Sequence, residues 1–200
     1  MSVSRETIDA GLPLDPAAMS RLRDLAAWIA RMAYPLGLTN YGDAETVLQE
    51  AILPTVALLP LLPTPLTGSW ADLGPGSGAI GLTLALLEPG ITVDLLDRRE
   101  RVIAYLDLSL AHLGISNARA RQTDLSVRKP VPGTWDGVAF RAFGPPATTL
   151  ALAASLSRSW VSAWHSPQTV AYQSPPEPLT LVSQRPTTSP GLLCSLFRRK

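Results

Sequence analysis

The sequence predicts an α/β fold, a mostly parallel twisted sheet with helices on both faces and a helical extension at its amino end. Three observations point there. From Ser69 onward, short apolar runs alternate with segments of helical period. One of these runs, Ile91 to Leu96, is nearly continuous in apolar residues, as expected of a parallel strand buried on both faces. A glycine-rich segment, Asp72-Leu73-Gly74-Pro75-Gly76-Ser77-Gly78, joins a strand to the helix behind it, as in a Rossmann-like unit.

Taken in order, Asp15-Pro16 reads as an N-cap followed by proline at the first helical position. Leu22, Leu25, Ala26, Ile29 and Met32 then recur at helical spacing, predicting an amphipathic helix over 16–33. After a turn around Gly37 to Gly42, Asp43 caps a second helix running to about Leu62 and kinked near Pro54. A short strand at Trp70 to Leu73 leads through the glycine loop to a helix over 79–87. The strand at 91–96 is followed by a helix over 99–113, ended by Gly114. Weaker strands are expected at 118–122 and 135–140, and a helix at 146–158. Thr169 to Gln173 and Leu179 to Ser183 read as a closing pair of strands. The expected division is a helical extension over 1–66 packed on the same domain, a body over 67–185, and a mobile basic tail over 186–200, rich in Pro, Ser and Thr.

The 200 residues suffice for a sizeable core. With 46% hydrophobic and 16% charged residues, the chain is globular rather than disordered. A single cysteine, Cys194, excludes an internal disulfide, and the two histidines, His112 and His165, stand apart without zinc spacing. No metal is expected. The amino terminus lacks the basic and apolar regions of a signal peptide, and Pro54, Pro60, Pro63 and Pro65 break the most apolar stretch, Ala51 to Leu66. These features predict a cytoplasmic protein without a membrane span. The formal net charge is only +1. Between 98 and 129, however, seven basic residues (Arg98, Arg99, Arg101, Arg119, Arg121, Arg128, Lys129) face three acidic ones, Glu100, Asp107 and Asp124. Such an excess suits phosphates, or simply a solvated helix face.

The chemistry lies in and after the glycine loop. Glycines let the backbone turn tightly and let a ligand approach the main chain. Asp72 ends the preceding strand, where a carboxylate engages the amino-acid portion of a ligand directly or through water. Asp97, with Arg98 beside it, closes the next strand 19 residues after Gly78, where an acid accepts hydrogen bonds from ribose hydroxyls. Asp124, with Leu125, follows the third strand, where a carboxylate can accept from an adenine amino group. Gly76, Gly78 and Gly81 also satisfy a dinucleotide loop. Asp72 weighs against that alternative, because it would repel a pyrophosphate but suits an ammonium and a sulfonium.

Asp72 through Ala85, Leu95-Leu96-Asp97, Arg101, Tyr105-Leu106, Leu113-Gly114, Asn117 and Arg141-Ala142 resemble the bacterial 16S rRNA guanine-N7 methyltransferase family, also called glucose-inhibited division protein B. The similarity covers about 36–158 and includes the helical lead-in ending Ala57-Leu58-Leu59-Pro60. It implies a class I methyltransferase fold, S-adenosylmethionine as donor, and a guanine in 16S rRNA or the small ribosomal subunit as acceptor; the residues read as holding that donor are Asp72, Gly74, Gly76, Gly78, Asp97, Arg98, Asp124 and Leu125. It also implies that Arg101 and Arg141 are basic positions near cofactor and substrate. The departures are concentrated on the substrate side. The family usually has Asn-Leu-Thr where this chain has Gly37-Leu38-Thr39. It has Arg-His and Asp-Ser in place of Glu50-Ala51 and Pro54-Thr55, and Phe-Pro-Gly in place of Ala79-Ile80-Gly81. Asp124-Leu125-Ser126 replaces Arg-Ala-Glu, and no Pro-Gly-Gly turn follows residue 158. Glu50 reverses a charge where a phosphate would bind.

Transfer to guanine N7 uses a free lone pair and needs no general base, so positioning by Arg141 and electrostatics would carry catalysis. The absence of a catalytic Asp/His pair is consistent with that. The alternative reading is a catalytically silent cofactor-binding or RNA-interacting protein, or a methyltransferase for another substrate. His112 suits the C-terminal end of its helix. Trp160 and Trp164, four apart, read as core residues at helical spacing. Ser77 has no histidine placed to activate it. A monomer is expected.

Overall fold

The computed structural model describes residues 14–125 and 133–200; Ser126, Arg128 and Lys129 lie outside them. Helix α1 (Pro16–Met32) begins as anticipated, with the Asp15 carboxylate accepting from the Ala18 N–H at 2.7 Å and Pro16 in the first turn. It buries Leu22, Leu25, Ala26 and Ile29. Asp43 caps the next segment by accepting from the Thr46 N–H at 2.8 Å. That segment is not one kinked helix to Leu62. It comprises α2 (Ala44–Val47), a π-helical turn (Leu48–Ile52), α3 (Leu53–Val56) and a 3-10 turn (Leu59–Leu61). Pro54 has no N–H for the carbonyl of Glu50 four residues back, so regular α-helix cannot run through it. The window Ala44–Leu61 is long and apolar enough to cross a membrane, yet half of it is buried inside the protein, as in a core helix.

The described residues form a seven-stranded sheet: β1 (Gly68–Leu73), β2 (Ile91–Asp97), β3 (Ala118–Gln122), β4 (Trp135–Arg141), β5 (Ser157–His165), β6 (Leu179–Pro186) and β7 (Leu193–Arg199). The order is β3-β2-β1-β4-β5-β7-β6. The first five strands in the chain pair in parallel, and β7 is antiparallel to both β5 and β6. Helices α4 (Gly81–Leu87) and α5 (Glu100–Leu113) cross over between the early strands, with Gly114 in the left-handed region ending α5. They share one apolar cluster with α1 and the broken segment. Helix α6 (Pro146–Leu156) packs in a second cluster with Leu73, Val138, Phe140 and Phe197. The reversal of strand order around β1 opens a crevice at the carboxyl ends of the strands, where ligands bind in sheets of this kind.

Three expectations beyond residue 156 are corrected. The helix expected to 158 stops at Leu156 and β5 starts at once, so Trp160 and Trp164 belong to a strand. A spacing of four satisfies both periods, since it returns to the same face of a strand. Thr169 to Gln173 holds a 3-10 turn (Val170–Tyr172) instead of a strand, and β6 pairs with β7. The segment from 186 is not a mobile tail: β7 fits between β5 and β6, with Cys194, Leu196 and Phe197 fully buried. His165 ends β5, its Nε2 2.8 Å from Ser195 Oγ of β7 and its ring stacked on Tyr172. Because Phe197 is buried against the α6 cluster, Phe197→Ala should lower stability by about 3–5 kcal/mol in urea unfolding. A loss under about 1 kcal/mol would mean that β7 is not part of the core.

Candidate functional site

The glycine loop is fixed from below by a buried carboxylate. Asp72, 1% exposed at the end of β1, accepts the Gly81 N–H at 2.8 Å on Oδ2, where α4 begins. A Cβ at Gly81 would come within 2.2 Å of Leu95 and 3.0 Å of Asp72, so only glycine brings α4 this close. The loop between is held by Gly74 N–H to Leu96 O at 2.9 Å, Gly78 N–H to Pro75 O at 2.8 Å, and the Tyr105 hydroxyl to Ser77 O at 3.0 Å. Burial pushes the Asp72 carboxyl up to about 7, opposed by the Gly81 N–H and reinforced by the charge of Asp97. Asp72 therefore lies beneath the loop and acts through it.

Above the loop, an open cleft of about 740 Å³ is lined by the ends of four strands. Gly74 comes from β1, Asp97 to Arg99 follow β2, Thr123 to Leu125 follow β3, and Ala142 to Pro145 follow β4; Thr149 and Leu152 of α6 close one side. Of the residues singled out in the sequence, the cleft brings together Gly74, Asp97, Arg98, Asp124 and Leu125. Gly76 and Gly78 lie farther along the loop, both at positive φ. Arg101 stands exposed on the first turn of α5, outside the residues lining the cleft.

Asp97 is 4% exposed and held by a residue that sequence reasoning did not select. Arg99 donates to it through its backbone N–H and Nε, both 3.0 Å to Oδ1, and through Nη2, 2.8 Å to Oδ2. Burial pushes the Asp97 carboxyl up, but these Arg99 bonds outweigh it and leave it below the usual range. Asp97 thus stays ionised; of the about four hydrogen bonds a carboxylate accepts, Arg99 supplies three, and the Arg98 backbone also favours the charged form. Elsewhere in the basic run, Arg119 and Arg121 both pair with Asp94, which also accepts from Trp135 Nε1 at 2.9 Å.

Arg141 ends β4 and is engaged by the broken segment. Its Nη1 donates to Glu50 O at 2.9 Å, the carbonyl that Pro54 cannot serve. Trp164 Nε1 donates to Pro54 O at 2.8 Å. The loop joining β6 to β7 docks on the same turn, with Ser189 Oγ on the Glu50 carboxylate and Thr188 Oγ1 on Gln49 O. Ala142 (φ +52°) and Phe143, in the turn after β4, were also not selected as site residues; a positive φ at alanine leaves no trace in sequence.

A strand–glycine loop–helix unit with cleft-lining carboxylates at the end of β2 and after β3 is the arrangement of the class I methyltransferase fold. A crystal structure of an S-adenosylmethionine-dependent methyltransferase from Aquifex aeolicus shares it, with a TM-score of 0.64 over 86% of this chain and 98% of that one; at 12% identity this likeness is one of fold. Residues 18–160 match the model of the family GidB, rRNA small subunit methyltransferase G, and the chain belongs to that family. The protein named ribosomal RNA small subunit methyltransferase G in Sorangium cellulosum is 32% identical over 137 residues, 67% of this chain and 57% of the relative. The protein of the same name in Halorhodospira halophila is 30% identical over 142 residues, 71% of this chain and 66% of the relative. These alignments span under two thirds of either relative's length.

Asp72 generates a pH test. Its raised carboxyl holds a proton in the folded chain that the unfolded chain releases near pH 4, so its stabilising contribution is full below that value and is lost as pH rises through about 7. Asp72→Asn keeps the acceptor for Gly81 without the charge. Thermal unfolding should show the variant more stable than the parent at pH 8, with the gap closing toward pH 5. Equal melting temperatures at both pH values would show that the carboxylate carries no burial penalty.

Proposed function

We propose that this protein is an S-adenosylmethionine-dependent methyltransferase that methylates N7 of a guanine in 16S rRNA, acting as a cytoplasmic monomer on the RNA or the small ribosomal subunit. The observation that carries this reading is the meeting of Gly74, Asp97, Arg98, Asp124 and Leu125 on one cleft in a chain of this family. The cleft's volume suits a ligand of this size. We further take the amino-terminal extension from residue 14 and the sheet through β7 to work as one domain, since α1 and the broken segment share a core cluster with the sheet.

S-adenosylmethionine, when bound, supplies a methyl group on a positively charged sulfur. Asp97 would accept from the ribose hydroxyls, its remaining capacity set by Arg99. Asp124 and Leu125 would hold the adenine, Arg98 would flank the ribose, and the backbone of Gly74 to Gly78 would lie along the amino-acid portion. Asp72 fixes that backbone. Guanine N7 is unprotonated at neutral pH, so the chain removes no proton. It holds the acceptor at attack distance and lowers the energy of the changing charge. Arg141 gives one of a guanidinium's five donors to Glu50, and the others would serve the guanine or a phosphate. Arg101 would add positive charge at the rim.

One observation favours a second reading, a silent cofactor-binding protein: the Glu50 carboxylate and the β6–β7 loop sit where the strand end meets the broken segment. Labelled methyl transfer to small-subunit rRNA from a strain lacking the modification separates the two. The parent protein should label one guanine, and Asp97→Ala should lose about 100-fold or more, as expected for deleting an ionised hydrogen-bond acceptor. Cofactor binding without any transfer would establish the silent reading.

A further inference from the structure

The turn after β4 lines the cleft and carries a feature to which the cofactor reading gives no role. Ala142 is the one non-glycine residue with positive φ among those described. An L-residue there is strained, and such strain persists only where the surroundings impose it, typically at sites that hold ligands. The reversal directs Phe143 back over the end of β1. Its ring lies so near Gly74 that a Cβ on that glycine would stand 2.5 Å from it. Phe143 is half-buried, packed against the cluster beneath α6, and also lines the cleft. One side of the ring meets the donor loop, and the residue is two positions from Arg141. An aromatic ring beside the glycine loop, on the wall of an open cleft, is matched by a flat, electron-rich heterocycle, because single-stranded bases are recognised by stacking on aromatic rings.

We propose that Phe143 is the stacking platform for the acceptor nucleobase, aimed into the cleft by the left-handed turn at Ala142. This rests on the reading of the protein as an RNA methyltransferase. A base lying on Phe143 is set against the Gly74 side of the cleft with Arg141 close in the chain, so one residue orients the acceptor toward the methyl donor. An aliphatic side chain of similar size would keep the packing against α6 and lose the π face.

The test compares Phe143→Leu with Phe143→Tyr and Phe143→Trp in the full chain. Methyl transfer to unmodified 16S rRNA gives KM and kcat, and calorimetry with S-adenosylhomocysteine gives cofactor affinity. Phe143→Leu should raise KM for RNA about tenfold or more, a larger change than any loss of S-adenosylhomocysteine affinity at this cleft-lining residue. Phe143→Tyr and Phe143→Trp should restore KM to near the parent value, which a packing role alone would not do for the larger indole. An unchanged KM in Phe143→Leu, or a loss of S-adenosylhomocysteine affinity in place of a KM effect, overturns the platform and assigns the ring to packing or to the donor. If Phe143→Leu melts well below the parent, the Tyr and Trp variants decide: a large rise in their KM overturns the platform, and parent-like values support it. If the parent transfers no methyl group to RNA, the methyltransferase reading itself fails, and the platform falls with it.

Discussion

The hydrogen bond from the Gly81 N–H to the buried Asp72 carboxylate is the constraint on which the site depends. It ties the end of β1 to the start of α4, so the residues between them must reverse within a short loop. Glycine is demanded at 81 because Leu95 and Asp72 occupy the space of a side chain. The bond costs the protein a desolvated carboxylate, whose pKa is raised to about 7. A polar group buried this deeply is tolerated only when it is hydrogen-bonded. In return, the loop presents its backbone to the cleft in one conformation, with Tyr105 and Leu96 holding its other polar groups.

A second constraint joins the amino-terminal segment to the ends of β4 and β5. Pro54 interrupts the segment after α2, and the carbonyls of Glu50 and Pro54 accept from Arg141 and Trp164 at the ends of β4 and β5. The departures from the family at Glu50 and Pro54 are therefore part of a local packing arrangement joining the amino-terminal extension to the sheet. Ser189 and Thr188 extend it to the β6–β7 loop. The Glu50 carboxylate accepts from the Ser189 hydroxyl, which ties this side chain into the packing.

Much of this was legible in the residues. The glycine loop, the apolar run of β2, the caps at Asp15 and Asp43 and the stop at Gly114 each rest on a local rule, and each appears where that rule puts it. Periodicity failed where two periods coincide, as at Trp160 and Trp164. Composition failed at β7: Pro, Ser and Thr between 186 and 190 resemble a tail, but they form the turn that returns Leu193 to Phe197 to the core. The placement of Asp97 and Asp124 on one cleft was legible because they close or follow neighbouring strands. Arg99 was not, since its grip on Asp97 depends on side-chain direction. For Asp72, sequence placed the carboxylate correctly along β1 but could not show that it points under the loop.

Hydrogen exchange with and without S-adenosylmethionine tests the central claim most directly, that the cleft at the carboxyl ends of β1 to β3 is the donor site. The account predicts slowed exchange at the backbone amides of Gly74, Gly76, Ser77, Gly78, Arg98, Arg99, Asp124 and Leu125, with no change around Trp28 of α1 and His112 near the C-terminal end of α5, whose rings stack on each other outside the cleft. Protection around Trp28 and His112 with none at the glycine loop would contradict it.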